Sequence, residues 1–176
     1  MTATPNNRPM RRTLPLLLAA ALLAAGTDLA TKSWAQAMLA GQPPLPLLGE
    51  TLRLHLGFNT GVAFSLFAGG GLFVPLLNLA VLSGFCVWLG LLLRRQSLGP
   101  GAGLCAGLFL GGGIANLLDR LVDGRVTDFI DVGVQSLRWP TFNLADIFIV
   151  MGALAFVLLL ERQPASGDSP PASGDG

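Results

Sequence analysis

The sequence predicts an all-α membrane protein: four transmembrane helices with a small extracytoplasmic β-sheet element. Three observations carry that prediction. Of 176 residues, 52% are hydrophobic and 12% charged, where soluble domains carry about 25% charged residues. Four apolar runs approach or reach the roughly 17–25 residues that cross the hydrocarbon. The acids from Asp28 to Asp146 gather at one rim of those runs. A net charge of +1 offers no basic field for nucleic acid. Rossmann and P-loop glycine patterns are absent from the sequence.

The first run extends from Thr13 to Trp34, and its clean apolar stretch is only Leu14 to Gly26. Arg8, Arg11 and Arg12 before it, and Ala-Ala-Gly at its end, also fit a cleavable signal peptide. Asp28 and Lys32 stand four residues apart on one helical face and can pair there. That pairing, and the odd span count that removal would leave, favour a retained helix. Gly41 to Gly49, with Pro43, Pro44 and Pro46, reads as a stiff connector. In Thr51–Phe58, Leu52, Leu54, Leu56 and Phe58 alternate with Arg53 and His55, the period of a strand. Asn59-Thr60-Gly61 then supplies a turn.

The second span, Gly71 to Leu93, has few polar residues, Asn78 and Ser83. Its Pro75 lies in the first turn, where proline is tolerated. The third, Gly101 to Leu118, repeats small residues every fourth position at Gly103, Gly107, Gly111 and Ala115, a row that Asp119 extends. Such spacing lets helix backbones approach closely. The adjacent row Gly112, Asn116, Arg120 ends in two polar groups at the outer end. Short strands are expected within 125–134 and 136–139. The fourth span runs from Leu144 to Leu160. Asn143 is a good N-cap for it, and Asp146 is the third helical residue, able to reach the cap's backbone N–H.

The expected organisation is a cytoplasmic N-terminus over 1–12, a four-helix transmembrane domain over 13–162, and a disordered cytoplasmic tail over 163–176. The tail repeats Pro-Ala-Ser-Gly-Asp twice. Arg11, Arg12, Arg94, Arg95 and Arg162 flank the spans on what the positive-inside rule makes the cytoplasmic side. Loops 35–70 and 119–143 then lie outside. The outer cations Lys32, Arg53, Arg120, Arg125 and Arg138 are interleaved with acids, as in a folded polar site.

Carboxylates beside a bilayer are costly unless paired, solvated or used. Asp146 alone could be a capping acid, and Asp128 alone a solvated loop acid. Assigned to one membrane face with Asn59, Asn116 and Arg120, they point to acid–base chemistry on a shared proton. A proton or cation path is the main rival, but the span interiors lack acids. A membrane assembly factor is a second. The lone His55 and the isolated Cys86 and Cys105 cannot make an ordinary zinc site. The cysteines read as small buried hydrophobes, and Ser65 has only His55 as a conceivable base. No metal or cofactor is expected.

Five segments in order carry a resemblance: Asp28-Leu-Ala-Thr-Lys32, FNTGVAFSLF at 58–67, GGGIANLLDR at 111–120, VTDFIDV at 126–132 and WPTFNLAD at 139–146. Over nearly its whole length the chain resembles the lipoprotein signal peptidases, signal peptidase II. The resemblance implies an aspartyl endopeptidase of the bacterial inner membrane. Its substrates would be prolipoproteins, cleaved just before a diacylglyceryl-modified cysteine. It implies Asp128 and Asp146 as the catalytic pair, and Asn59, Gly61, Gly112, Asn116, Arg120 and Asn143 as residues lining or supporting the site. Asp28 and Lys32 match the first motif. A monomer working in membrane lipid is expected. Ala115 stands where the family's third motif usually has glycine; it keeps the small-residue row, so tight packing and full activity are expected. The N-terminus of the fourth helix should favour ionised Asp146 as the starting base, leaving Asp128 as the acid.

Overall fold

The structure is a computed structural model that describes residues 8–61, 71–95 and 98–161. Its elements are α1 (Arg8–Leu39), β1 (Leu45–Leu48), β2 (Leu52–Asn59), α2 (Phe73–Arg94), α3 (Pro100–Asp123), β3 (Val126–Val134), β4 (Leu137–Arg138) and α4 (Leu144–Glu161). All four helices are long and apolar enough to cross a membrane. The predicted tail over 163–176, Arg162, Phe64, Ser65 and Phe67 lie outside the described residues.

α1 is longer than its apolar run suggested. At 1.5 Å per residue its 32 residues span about 48 Å, well beyond the roughly 30 Å hydrocarbon thickness. The extra turns are held by tertiary packing: Ala35 and Leu39 bury against Phe129 of β3, and the Gln36 amide donates to Thr127 Oγ1 at 2.6 Å.

α3 is the central helix, and its glycines explain why. A Cβ on Gly107 would stand 2.3 Å from Leu17 O, and one on Gly111 would stand 2.4 Å from Ala21 O, so this row seats α1. A Cβ on Gly112 would stand 2.5 Å from Ala145 O of α4, and one on Gly113 would meet Leu82 of α2. Ala115 is fully buried in the same row. Lipid is as apolar as leucine, so close van der Waals packing holds such helices together more than the hydrophobic effect does. In the half of the bundle away from the sheet, Phe85 meets Phe109 and Phe156 with ring centroids 4.5 and 5.5 Å apart. Leu22, Leu23 and Val87 stay exposed on the outer faces, as spans facing lipid require. Cys105 is buried as expected, but Cys86 is on an exposed face of α2. The apolar run around it is lipid-facing, so hydrophobic sequence did not imply burial in protein.

The β-element is one antiparallel sheet in the order β1-β2-β3-β4. The connector expected over 41–49 contains β1, whose Leu45 pairs with Leu54. Its register slips between Pro46 and Leu48. Proline lacks an N–H, and an edge strand is where a sheet tolerates it. β2 and β3 pair through Leu54↔Ile130 and Gly57↔Asp128, with a bulge between. Between those pairs one residue of β3, Phe129, therefore faces two of β2, His55 and Leu56, which breaks the simple alternation read from 51–58. Phe58 is consequently half-exposed, with the Arg125 guanidinium 3.7 Å from its ring centroid. At the far end Asp131 takes hydrogen bonds from Arg53 (2.7 Å) and Arg138. Burial alone would raise the Asp131 pKa, but those two guanidiniums hold it below its ordinary value.

Candidate active site

The site is assembled where α4 begins. Asn143 caps that helix: its Oδ1 accepts from Asp146 N–H at 3.0 Å, and its own backbone N–H donates to Asp146 Oδ2 at 3.2 Å. This is the reciprocal capping box the local sequence predicts. The Asn143 side chain does more. Its Nδ2 donates to Asp128 Oδ1 at 2.7 Å and lies 3.3 Å from Asn116 Oδ1. One fully buried asparagine thus touches both aspartates, one through its backbone and one through its amide.

Asp128 comes from β3 and is 3% exposed. Burial, followed by the charge of Asp146, raises its pKa from 3.8 to about 7. Hydrogen bonds from Asn143 and Asn59 and the Lys32 charge oppose that rise without cancelling it. Asp146 is only half-buried. Its Oδ1 accepts from Asn116 Nδ2 at 2.9 Å, so both of its oxygens accept hydrogen bonds. The two acids therefore stand in unlike environments, one deeply buried and one half-buried.

A buried cation supports them. Lys32 Nζ is 2.6 Å from Asp28 Oδ2, 3.0 Å from Asp119 Oδ2 and 2.7 Å from Asn116 Oδ1. Lysine has three donors, and here all three are engaged. Asp28 Oδ1 accepts from Ala145 N–H at 2.7 Å, so α1 helps cap α4. Asp119 also accepts from Thr127 N–H at 3.2 Å, tying α3 to β3.

Arg120 reaches from α3 to the end of β2. Its Nη2 donates to Gly61 O at 2.6 Å and its Nη1 to Asn116 O at 3.1 Å. Gly61 N–H in turn donates to Asn59 Oδ1 at 2.8 Å. Arg120 therefore straps the end of β2 to α3. The structure brings Asp28, Lys32, Asn59, Gly61, Asn116, Arg120, Asp128, Asn143 and Asp146 into one neighbourhood, while Gly112 supports it by letting α4 approach.

The two aspartates open on a cleft of about 640 Å³. Its polar end holds Asn59, Asn116 and Arg120, and its other walls include Trp139, Phe142, Ile147, Val150 and Met151. Asn78 of α2 also lines it. Two participants escaped the sequence reading. Asp119 was legible only as the end of the small-residue row, and Asn78 as an isolated amide in an apolar span. Among the described residues no three His, Cys, Asp or Glu side chains are grouped to hold a metal ion.

Four spans, a surface sheet and two unlike carboxylates on one cleft define a multi-pass membrane protein equipped for acid–base hydrolysis. The model of the signal peptidase (SPase) II family matches residues 20–161, and the chain belongs to that aspartic peptidase family, whose members remove signal peptides from prolipoproteins. A lipoprotein signal peptidase from Mycobacterium avium is 35% identical, covering 90% of this chain and 85% of its own. One from Xylella fastidiosa is 38% identical over 82% of this chain and 86% of its own. One from Gloeobacter violaceus is 37% identical over 90% of each. A solved bacterial membrane enzyme superposes with a TM-score of 0.70 at 19% identity, over 88% of this chain and 92% of that one. That last likeness is one of fold.

Proposed function

We propose that this peptidase cleaves prolipoproteins on the amino side of a diacylglyceryl-modified cysteine, with Asp128 and Asp146 as its catalytic pair. The single observation that carries the reading is Asn143, hydrogen-bonded to both carboxylates at the polar end of the cleft. Asp146 acts as the base. It takes a proton from a water whose oxygen adds to the scissile carbonyl carbon. Asp128, protonated below about pH 7, gives its proton to the carbonyl oxygen as negative charge develops there. The tetrahedral intermediate collapses as the proton now on Asp146 passes to the departing nitrogen and Asp128 recovers its own. The C–N bond breaks and both acids return to their starting states.

Asn59 and Asn116 offer donors and acceptors to an extended substrate backbone. Arg120 acts through the Gly61 strap. The apolar walls near Trp139, Ile147 and Met151 suit the substrate's acyl chains and the surrounding lipid. One copy supplies every group named, so a monomer suffices. The arginine flanks Arg94 and Arg95 favour cytoplasmic termini, an inner-membrane location and a cleft on the outer side.

The test is a gel-shift assay of purified protein on a diacylglyceryl-modified precursor beside its unlipidated form. Cleavage of the first alone, lost in Asp128→Asn and in Asp146→Asn, is expected. Unimpaired processing by either variant would refute the assignment.

A further inference from the structure

From Phe73 to Leu82, α2 is apolar except at Asn78. Asn78 stands five residues into the helix, about 7.5 Å along its axis. It is half-buried and lines the cleft onto which Asp128 and Asp146 open. Among the described residues its amide has no hydrogen-bond partner. A polar group at membrane depth is costly without one, and the packing of α2 on α3 does not use it: Leu82 makes the close contact with Gly113. The cleft wall also includes Val150 and Met151, about one helical turn past Asp146 and unable to satisfy a polar group.

We propose that Asn78 is a substrate-positioning residue whose amide pairs with a peptide unit of the signal segment just before the scissile bond. The inference rests on the cleavage reading above. A segment entering the cleft must unwind to present its carbonyl to the acid pair. Unwinding frees backbone N–H and C=O groups where apolar walls offer nothing in exchange. The side-chain amide carries both a donor and an acceptor, the complement of a peptide unit. An ester carbonyl of the diacyl group would use only the donor. Asn78, more than one turn into an apolar span, stands where the part of the substrate that remains in the membrane would pass.

The experiment compares full-length wild type, Asn78→Leu and Asn78→Ser on two lipidated precursors, one diacyl and one dialkyl-ether, which lacks ester carbonyls. For Asn78→Leu, KM should rise about 3- to 10-fold on both precursors with kcat within about twofold, the scale of one or two net hydrogen bonds. Asn78→Ser should recover part of that loss. The melting temperature of Asn78→Leu should equal or exceed that of wild type, because no internal bond is removed. Unchanged KM, or a rise confined to the diacyl precursor, overturns the proposal. A lower melting temperature with a parallel fall in kcat overturns it too, by revealing a structural role. Wild type that leaves the lipidated precursor intact sinks the cleavage reading and this proposal together, whereas wild-type cleavage with unaltered Asn78→Leu kinetics sinks this proposal alone.

Discussion

Asn143 is the residue on which the two acids meet, and its two roles separate experimentally. Asn143→Ala removes a helix cap, worth about 1 kcal/mol. It also removes a donor that favours ionised Asp128. The alkaline limit of the pH–rate profile, expected near 7 in the wild type, should therefore move upward in whatever activity remains. Asp128 itself is stabilising only when protonated. Its folded-state pKa is raised, so its contribution is complete below about 4 and is lost as pH rises through about 7. Asp128→Asn should thus abolish cleavage yet raise the melting temperature at pH 8. That gain should shrink as pH falls toward 4, which thermal unfolding in detergent at several pH values would check. Lys32 sets the opposite case. Lys32→Met leaves Asp28 and Asp119 without their buried cation and should cost about 3–5 kcal/mol, read as a large drop in melting temperature. The capping of α4 by Asn143 and Asp146 was legible because it is local, spanning four residues. The bond from Asp28 to Ala145, 117 residues away, has no local signature.

At the scale of elements, the α1–α3 contact depends on backbone approach. Gly107→Val would drive a side chain into Leu17 O, a backbone atom that cannot rotate away. Overpacking of this kind typically costs about 1–3 kcal/mol, and the displaced α1 would carry Asp28 and Lys32 out of place. Activity should fall further than stability alone explains, measured as specific activity of the folded fraction. The glycine row and its spacing were readable in sequence because helical periodicity survives in any packing. The sheet was readable only in part. Alternation in 51–58 announced β2, but β1 is proline-containing and short, and only its pairing with β2 makes it a strand. The bulge beside the Gly57–Asp128 pair is invisible to periodicity, yet it sets the register at which that acid faces the cleft.

At the scale of the whole molecule, the four spans and their order followed from composition, since the hydrocarbon thickness leaves few alternatives. The cleft did not, because it is formed by α2, α4, the end of α3 and the sheet together. Orientation is testable directly. A Leu137→Cys variant, at an exposed hairpin position, should react with a membrane-impermeant maleimide added to intact cells. An Arg95→Cys variant should react only after lysis. The reverse pattern would invert the topology and remove the cleft from its substrates.

The proposed mechanism requires Asp128 to hold the proton of an acid pair whose other member is ionised. Infrared difference spectroscopy of the carboxyl stretch at pH 6 tests it most directly. A protonated-carboxyl band present in the wild type, retained with a shift in Asp146→Asn and absent in Asp128→Asn, is the predicted result. A band that survives in Asp128→Asn and vanishes in Asp146→Asn would contradict the account.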